Sequence, residues 1–383
     1  MSDTDSYTYP RLRVGVVIGR FNPVHRLHVD VLIRPALAES DYVFVLLGSS
    51  RSARDFKNPF DHNVRSALIY QSLTDAEMQK LKTAPIEDFP YSDTRWQMQC
   101  YRQVENLLEQ VLINHPGIRK DQVQISLFGV NKDESSWYLK LFPQWTSRTK
   151  EAGEIPRPVS STDVRNALYE LILDPDDVIA AKTWSAIAMD TLLPSVRAYL
   201  EGWAQTPEAL RIAEEWKYVQ DYKRMWAGTP YPVIFQTVDN VVIHKGHILL
   251  VKRDDYPGKG LWALPGGYIK PDETLRTAAF RELKEETSIV FKDSNRPVRV
   301  NETWIKFNRE FDYPGRSLRG RTITQAYLWE IPIGFEVDVT TRDEDGEVSD
   351  VQWFPLEAVL GPEFECRLFE DHKHIIDYMV KEL

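Results

Sequence analysis

The sequence predicts an α/β protein of two domains, and three observations carry that reading. Short β-branched or apolar runs alternate with helical stretches in the first part of the chain, strand signals disappear between about 174 and 231, and paired strands follow "AGTPYP". Strands alternating with helices at this spacing indicate βαβ units and a parallel sheet covered on both faces. At 383 residues the chain is longer than one core usually serves, which makes two domains the expectation.

Taken in order, "LRVGVVIG" reads as the first strand, a helix follows over about 24–39, and "YVFVLLGSS" is the second strand. Helices are expected after Asp61 and over about 91–114, ahead of the strand "VQISLFGV". The middle reads as three helices: "DVIAAKTWSAIAMDTLL", "SVRAYLEGW" after Pro194, and "TPEALRIAEEWKYVQDYKRMW". Thr206 can cap the last of these, and Pro207 suits its first position because it has no amide hydrogen to satisfy. Then "VIFQTVDNVVIHKGHILLVKR" reads as paired strands with turn-like breaks at "DN" and "HKG". The seam falls near Pro230. The expected organisation is a domain over 1–205 with a helical C-terminal part, a linking helix over 206–231 and a second domain over 232–383, with no internal repeat or low-complexity tract.

The formal net charge of −10 argues against general affinity for nucleic acid backbones, which requires a basic face. Cys100 and Cys366 are far apart and neither sits in a CxxC pair, so free thiols in a reducing compartment are expected rather than a disulfide framework or structural zinc. The N-terminal "MSDTDSYTYPRLR" lacks a signal core, and no run approaches the eighteen or so apolar residues that span a bilayer. A soluble cytoplasmic protein without a membrane partner is the expectation; the oligomeric state is not legible.

The first candidate site is "GRFNPVHRLH". A strand ends at Gly19 and the helix that follows holds His25 and His28 in its first turn, at the carboxyl end of a strand, where open α/β sheets bind ligands. Gly19 lets backbone approach closely, and Arg20 offers a planar fork for phosphate oxygens. Histidines at i, i+3 share a face and can donate together to a polyphosphate; a metal site, or plain capping and packing, are the rival readings. "PVSSTDVR" places Ser160, Ser161, Thr162 and Arg165 at a helix start, which reads either as a simple cap or as a second anion cradle. Two cradles on one sheet favour a nucleoside triphosphate.

These segments resemble the HxGH nucleotidylyltransferases, whose GxFxPxHxGH and SSTxxR motifs are matched at Gly19, Phe21, Pro23, His25, His28 and at Ser160, Ser161, Thr162, Arg165. "KNPFDHNVR" (57–65) and "NKDESSWYLKLFPQW" (131–145) resemble the nicotinamide mononucleotide (NMN) adenylyltransferase branch that is fused to a Nudix domain. The resemblance implies a Rossmann-like domain in which NMN phosphate attacks the α-phosphorus of ATP with magnesium, giving NAD and pyrophosphate. It implies that His25 and His28 steady the transferring phosphate, that Arg165 holds the β and γ phosphates, and that Trp137 stacks on nicotinamide. Gly19, Arg20, Phe21, Lys57, Asp133, Ser160, Ser161 and Thr162 complete the implied ATP and NMN site. One departure stands out: the glycine of HxGH is Leu27 here. A side chain there is expected to obstruct backbone approach, shifting adenine or slowing the reaction unless neighbours accommodate it.

The second candidate site is "LPGGYIKPDETLRTAAFRELKEETSI". Its helix is expected over about 274–287, where Leu275, Ala279, Glu282 and Glu286 share a row, so carboxylates border the buried stripe with Glu285 beside them. Crowded carboxylates repel unless a cation compensates, and hard oxygen ligands suit magnesium or manganese; a solvated helix face is the bland alternative. Arg281 can pair with Glu273 or Glu285.

Gly267, Glu273 and "RELKEE" from Arg281 fall at the spacing of the Nudix box, GX5EX7REUXEEXGU, with Ser288 in place of the last glycine. Ser288 is expected to alter the helix exit more than the metal ligands. The resemblance implies an α/β/α domain that hydrolyses a nucleoside diphosphate joined to another group, with Glu282, Glu285 and Glu286 holding Mg2+ or Mn2+. The general base varies in that superfamily; the acidic stretch 342–350 is one candidate source and otherwise an exposed turn. "FDYPGRSLRGRTITQAYLW" resembles a segment of ADP-ribose pyrophosphatases, whose Arg316, Arg319 and Arg321 read equally as phosphate contacts or as loop solvation. Together the resemblances imply a bifunctional enzyme of NAD metabolism acting on ATP, NMN and ADP-ribose. The alternatives are a hydrolase whose first domain uses another acceptor, is weakly active, or senses a ligand because of Leu27.

Overall fold

The computed structural model describes residues 12–131, 134–151, 153, 160–341 and 346–383. It divides into two compact units, Met1–Ser50 with Phe56–Ala213, and Arg51–Asp55 with Glu214–Leu383. No helix among the described residues is long and apolar enough to cross a membrane.

In the first unit, β1 (Leu12–Gly19) leads through a π-turn (His28–Ile33) into α1 (Arg34–Glu39), followed by β2 (Tyr42–Leu47), α2 (His62–Tyr70), α3 (Asp75–Lys80) and β3 (Leu81–Pro85). Then come α4 (Asp93–Leu112), β4 (Val123–Asn131), β5 (Thr146–Glu151), α5 (Ser161–Leu173), α6 (Val178–Thr191), α7 (Pro194–Trp203) and α8 (Pro207–Trp226). The sheet is parallel in the order β3-β2-β1-β4-β5. Its order reverses between β1 and β4, so the carboxyl ends of those two strands flank the crevice where such sheets bind ligands. β1 and β2 are almost wholly buried, and Val16, Phe44, Leu46 and Leu127 pack against Val104 and Leu108 of α4.

Two strands that the sequence reading lacked, β3 and β5, are the edges of this sheet. Their residues, "LKTAP" and "TSRTKE", carry lysine, proline and charge because an edge strand has one open side and little to bury. The first helix also starts later than position 24. The carbonyls of Asn22 and Pro23 accept from Arg165 and Ser161 and are thus taken before a helix could use them. Helical bonding begins instead at the His25 carbonyl, which accepts from the His28 and Val29 amides at 2.9 and 3.3 Å. His28 therefore lies in the first turn and His25 just ahead of it.

α8 is continuous, Thr206 Oγ1 accepts from the Ala209 amide at 3.2 Å, and the division between the units falls inside it. The second unit continues with β6 (Phe235–His244), β7 (His247–Arg253), β8 (Trp262–Ala263), β9 (Gly266–Tyr268), α9 (Leu275–Glu286), β10 (Thr287–Phe291) and β11 (Ile305–Phe311). It ends with β12 (Thr322–Glu330), β13 (Val337–Thr341), β14 (Val348–Pro355), α10 (Leu356–Leu360), α11 (Pro362–Glu365) and α12 (His372–Met379). The mixed sheet runs β11-β12-β6-β7-β14, with β9 beside β6, β8 beside β7 and a separate β10-β13 pair. α9 lays Ala278, Ala279 and Leu283 on a core with Val238, Leu249, Tyr327 and Trp329.

At "HKG" a two-residue turn is present, Lys245 and Gly246 both having positive φ (46° and 75°), the geometry that suits a tight hairpin. At "DN" there is no turn: β6 runs straight through Asp239 and Asn240. Both are buried with partners. Asn240 donates to the Pro265 and Ala279 carbonyls and accepts from Trp329 Nε1, while Asp239 accepts from Thr324 Oγ1 at 2.6 Å. Turn-forming residues stay in a strand when tertiary partners satisfy their side chains.

Candidate active sites

In the first unit the loop after β1 is held by two buried arginines. Arg65, fully buried, donates to the carbonyls of Arg20, Gly48 (2.7 Å), Ser49 (3.3 Å) and Asp61 (3.2 Å), tying the ends of β1 and β2 together. Burial pulls its pKa down to about 10, so it stays charged near neutrality. Arg165 donates to the Asn22 carbonyl, to the Phe56 carbonyl at 3.0 Å and to Thr162 Oγ1 at 3.1 Å. Asn22 in turn exchanges hydrogen bonds with the Phe60 backbone at 3.0 and 3.3 Å.

This grip sets the histidines. The rings of His25 and His28 stack with centroids 3.6 Å apart, and Phe21 meets His28 edge-on at 4.8 Å. The His25 amide donates to His28 Nδ1 at 3.3 Å. In neutral His28 the proton therefore sits on Nε2, which makes that atom the donor for an anion. His25 is only 4% exposed. Gly19 lies under the Phe21 ring, where a Cβ would come within 3.0 Å of ring carbons. Leu27 has φ −64° and ψ −34°, ordinary helical backbone, so a side chain in place of the family's glycine brings no backbone strain.

The other predicted positions fall as follows. Ser160 caps α5 in a capping box with Asp163, Ser161 Oγ donates to the Pro23 carbonyl at 3.0 Å, and Thr162 pairs with Arg165. Arg20 is exposed, and Lys57 is half-buried beside Phe56 on the loop before α2. Trp137 sits on a short 3-10 helix after β4, 45% exposed and 6.0 Å from the Trp96 ring. Asp133 lies outside the described residues.

In the second unit, two glycines bring helix carboxylates onto a strand. The Gly266 amide donates to Glu286 at 2.8 Å, and a Cβ there would stand 2.1 Å from the Val238 carbonyl oxygen across the β9-β6 pair. A Cβ on Gly267 would meet the Glu282 carboxylate at 2.7 Å, so glycine is what admits that side chain. Arg281 donates to Glu282 and Glu285, each at 2.7 Å, to Glu273 at 3.0 Å and to the Tyr268 carbonyl at 3.0 Å. Its pKa is raised chiefly by the hydrogen bond to Glu273. Burial pushes the Glu282 carboxyl up to about 7 against the opposing pull of Arg281, and the charges of Glu285 and Glu347 add to the rise. Glu286 is raised well above the usual carboxylate range by burial and then by Glu282.

Beside them opens a cleft of about 490 Å³, part of it open to solvent, lined by Glu286, Glu347, Arg253, Arg316, Arg319 and His372 among others. Arg316 makes a two-pronged pair with Asp371 at 3.0 and 3.0 Å and lies 3.6 Å from Asp239. Burial opposes its charge, and the Asp371 and Asp239 carboxylates more than reverse that effect. His372 accepts at Nδ1 from the Leu264 amide at 2.8 Å and faces Asp239 through Nε2 at 3.7 Å. Burial holds its pKa down, so the ring is neutral with the proton on Nε2.

Each half of the chain has known counterparts. A cytidylyltransferase-like family model matches residues 16–95, and a NUDIX domain model matches residues 235–378. A nicotinamide/nicotinic acid mononucleotide adenylyltransferase of Acinetobacter baylyi is 34% identical over 155 residues, 40% of this chain and 74% of the relative. An ADP-ribose pyrophosphatase of Methanocaldococcus jannaschii is 31% identical over 143 residues, 37% of this chain and 71% of the relative. The crystal structure of a bifunctional NMN adenylyltransferase/ADP ribose pyrophosphatase from Francisella tularensis matches with a TM-score of 0.76 and 29% identity, covering 97% of this chain and 99% of that one. The chain belongs to this bifunctional family. A second structure from that organism, complexed with AMP and a manganese ion, matches equally with a TM-score of 0.76.

Within the Nudix unit the donor set fits a hard divalent cation. Glu282, Glu285 and Glu286 offer only oxygens; burial first and neighbouring carboxylates second hold Glu282 and Glu286 above the usual carboxylate range, and a cation beside them would favour their charged form. Among the described residues no three acidic, histidine or cysteine side chains are grouped for a cation; Arg281 donates to Glu282 and Glu285, and the Gly266 amide donates to Glu286. The helix exit shows why Ser288 is tolerated. Thr287 passes directly from α9 into β10 in extended backbone, so no left-handed glycine is required. Of the three arginines on the 316–321 segment, Arg316 and Arg319 line the cleft, whereas Arg321 donates to the Asp312 carbonyl. Within the acidic stretch, 342–345 lie outside the described residues and Glu347 lines the cleft.

Sequence reasoning missed Arg253, Asp239, Asp371 and His372. Asp239 hid in the supposed turn; Arg253 stands alone in sequence, and Asp371 and His372 are neighbours but match no motif spacing that announces them.

Proposed function

We propose that the first unit transfers the adenylyl group of ATP to NMN, giving NAD and pyrophosphate, and that the second hydrolyses ADP-ribose to AMP and ribose 5-phosphate. The observation that carries this reading is a likeness to a bifunctional enzyme over 97% of the chain, with a TM-score of 0.76. The geometry of each site supports it.

In the transferase, an oxygen of the NMN phosphate attacks the α-phosphorus of ATP and pyrophosphate leaves. His28 Nε2 donates to the α-phosphate as its charge redistributes, and His25, stacked against it, keeps that ring oriented. Arg65 and Arg165 act on the backbone, fixing the loop that carries the histidines and so the distance between reactants, a different role from the β,γ-phosphate contact expected of Arg165. Gly19, Arg20, Phe21, Lys57, Asp133, Trp137, Ser160, Ser161 and Thr162 complete the ATP and NMN contacts in this reading.

In the hydrolase, Glu282, Glu285 and Glu286 would hold Mg2+, with Mn2+ as a substitute, and the cation would supply charge neutralisation at the diphosphate and a more acidic water. Arg281 and Glu273 keep those carboxylates in register, and Gly267 leaves room for them. Glu347, in the cleft beside Glu286, is placed to take a proton from water. We further propose a cytoplasmic enzyme: both cysteines are free thiols, and the net charge of −10 disfavours nucleic acid as a partner.

The test is to supply the purified protein with magnesium and either NMN plus ATP or ADP-ribose. NAD formation lost in His28→Ala and kept in Glu286→Gln, with the reverse for ADP-ribose cleavage, is the expected pattern. A wild type that forms no NAD overturns the first half; cleavage that survives Glu285→Gln and Glu286→Gln together overturns the metal assignment.

A further inference from the structure

α8 looks like a linker in sequence, yet from Glu214 onward it belongs to the second unit, and the NUDIX model at 235–378 begins only after it. Glu215 is a carboxylate only 1% exposed, and its Oε1 accepts from the Gly258 amide at 2.7 Å. One residue earlier, Glu214 accepts from the Tyr256 hydroxyl at 3.0 Å. Both bonds fasten the loop between β7 and β8. That loop repays the attachment at the cleft: the Pro257 carbonyl accepts from Arg253 Nε at 2.9 Å, and the Gly260 amide donates to the Arg253 carbonyl at 2.8 Å. The Arg253 guanidinium lies over the Phe369 ring at 4.3 Å. Gly258, at φ +81°, sits so close to Phe369 that a Cβ would come within 2.3 Å of the ring. Arg253 thus reaches the cleft beside Glu286 and Glu347 as a cation clamped from two sides.

We propose that Glu215 of α8 is a positioning residue of the hydrolase: through the Pro257–Gly258 turn it fixes the Arg253 guanidinium where the substrate's diphosphate binds. A buried carboxylate is costly unless its bonds are needed, and here the bond goes to the loop whose Pro257 carbonyl holds Arg253. A guanidinium acts on a diphosphate only if its fork is aimed, so loosening the loop weakens substrate binding before it alters the metal-dependent step. α8 makes a second tie of the same kind, Tyr222 Oη lying 3.2 Å from Tyr268 Oη on the strand whose carbonyl Arg281 grips.

The inference rests on the hydrolase reading, and the experiment separates the two. In the full chain, Glu215→Leu is expected to raise KM for ADP-ribose about tenfold with kcat changed less than about twofold, the signature of lost ground-state binding. Glu215→Gln, which can still accept from Gly258, is expected to restore KM. Arg253→Lys should give a similar rise, and the double variant Glu215→Leu with Arg253→Lys no more than the larger single effect, because both act through one guanidinium. Hydrogen exchange at residues 254–260 should accelerate in Glu215→Leu, a readout that needs no substrate, while Mn2+ binding and adenylyl transfer stay at wild-type levels. An unchanged KM, multiplied effects in the double variant or unchanged loop exchange each overturn the proposal. A wild type that never cleaves ADP-ribose overturns the hydrolase reading instead, and loop exchange still judges the tie to α8. Should Glu215→Leu fail to fold, Glu215→Asp, whose shorter side chain withdraws the carboxylate from the Gly258 amide, takes its place, with a KM rise of about twofold expected and no rise overturning the proposal.

Discussion

The two sites solve opposite electrostatic problems. In the first unit, charged side chains act on backbone: Arg65 and Arg165 are buried against carbonyls, and the histidines they arrange are stacked with a ring donor available to an anion. In the second, acidic side chains are packed onto one turn of α9 with Arg281 as a local counterion, and burial first, then their mutual repulsion, raises Glu282 and Glu286. One site is shaped before its ligand arrives, and the other is completed by a cation. The difference predicts that mutations in the first act through geometry and stability, and those in the second through charge and metal affinity.

The largest expected effects test that separation directly. His28→Ala should lower NAD formation by about 10²–10³-fold, the usual consequence of removing one donor to a transition-state anion, while ADP-ribose cleavage is unchanged. Glu286→Gln should do the reverse, cutting cleavage at least about a hundredfold. Parallel loss of both activities in either variant would break the comparison.

Next is stability. Arg65→Met leaves the carbonyls of Arg20, Gly48 and Ser49 buried without their donor and should cost about 3 kcal/mol in urea unfolding of the first unit. Gly267→Ala, which thrusts a methyl into the Glu282 carboxylate, should instead weaken Mn2+ binding about tenfold by calorimetry, with unfolding nearly unaffected.

The pH dependence follows the same division. A carboxyl whose folded pKa lies above its unfolded value binds its proton more tightly when folded. Its contribution is therefore fully present below the ordinary carboxylate pKa of 4.5 and is lost as pH rises through about 7, the value for Glu282. Metal-free protein should thus lose stability across that window, and saturating Mg2+ should remove the loss and release protons at pH 6.5, read by calorimetry in two buffers. The smallest effect concerns the thiols. Burial pushes Cys100 up to about 12, so at pH 8 a thiol reagent should label exposed Cys366 and spare Cys100 in the folded protein.

How much of this was legible follows from what is local. β1, β2 and β4 are central strands whose apolar runs announce themselves, and α9 with its box spacing is read off one contiguous stretch. His25 and His28 are three residues apart, so their pairing is a property of the sequence; the start of their helix is not, because it depends on donors from Ser161 and Arg165. Asp239 and Asn240 mimic a turn until Thr324, Trp329 and Arg316 satisfy them from elsewhere in the chain. The cleft of the second unit joins Arg253, Arg316 and His372, which only tertiary folding brings together.

The edge strand β5 has a further consequence. Five of its six residues are exposed, and Arg148, Lys150 and Glu151 place charge along the sheet's open side, where Arg148 also reaches Glu39 at 3.6 Å. A second molecule offering a strand to that edge would have to bury those charges against its own backbone. The polar lettering that hid β5 from sequence analysis is the same property that guards a parallel sheet against edge-to-edge aggregation in a crowded solution.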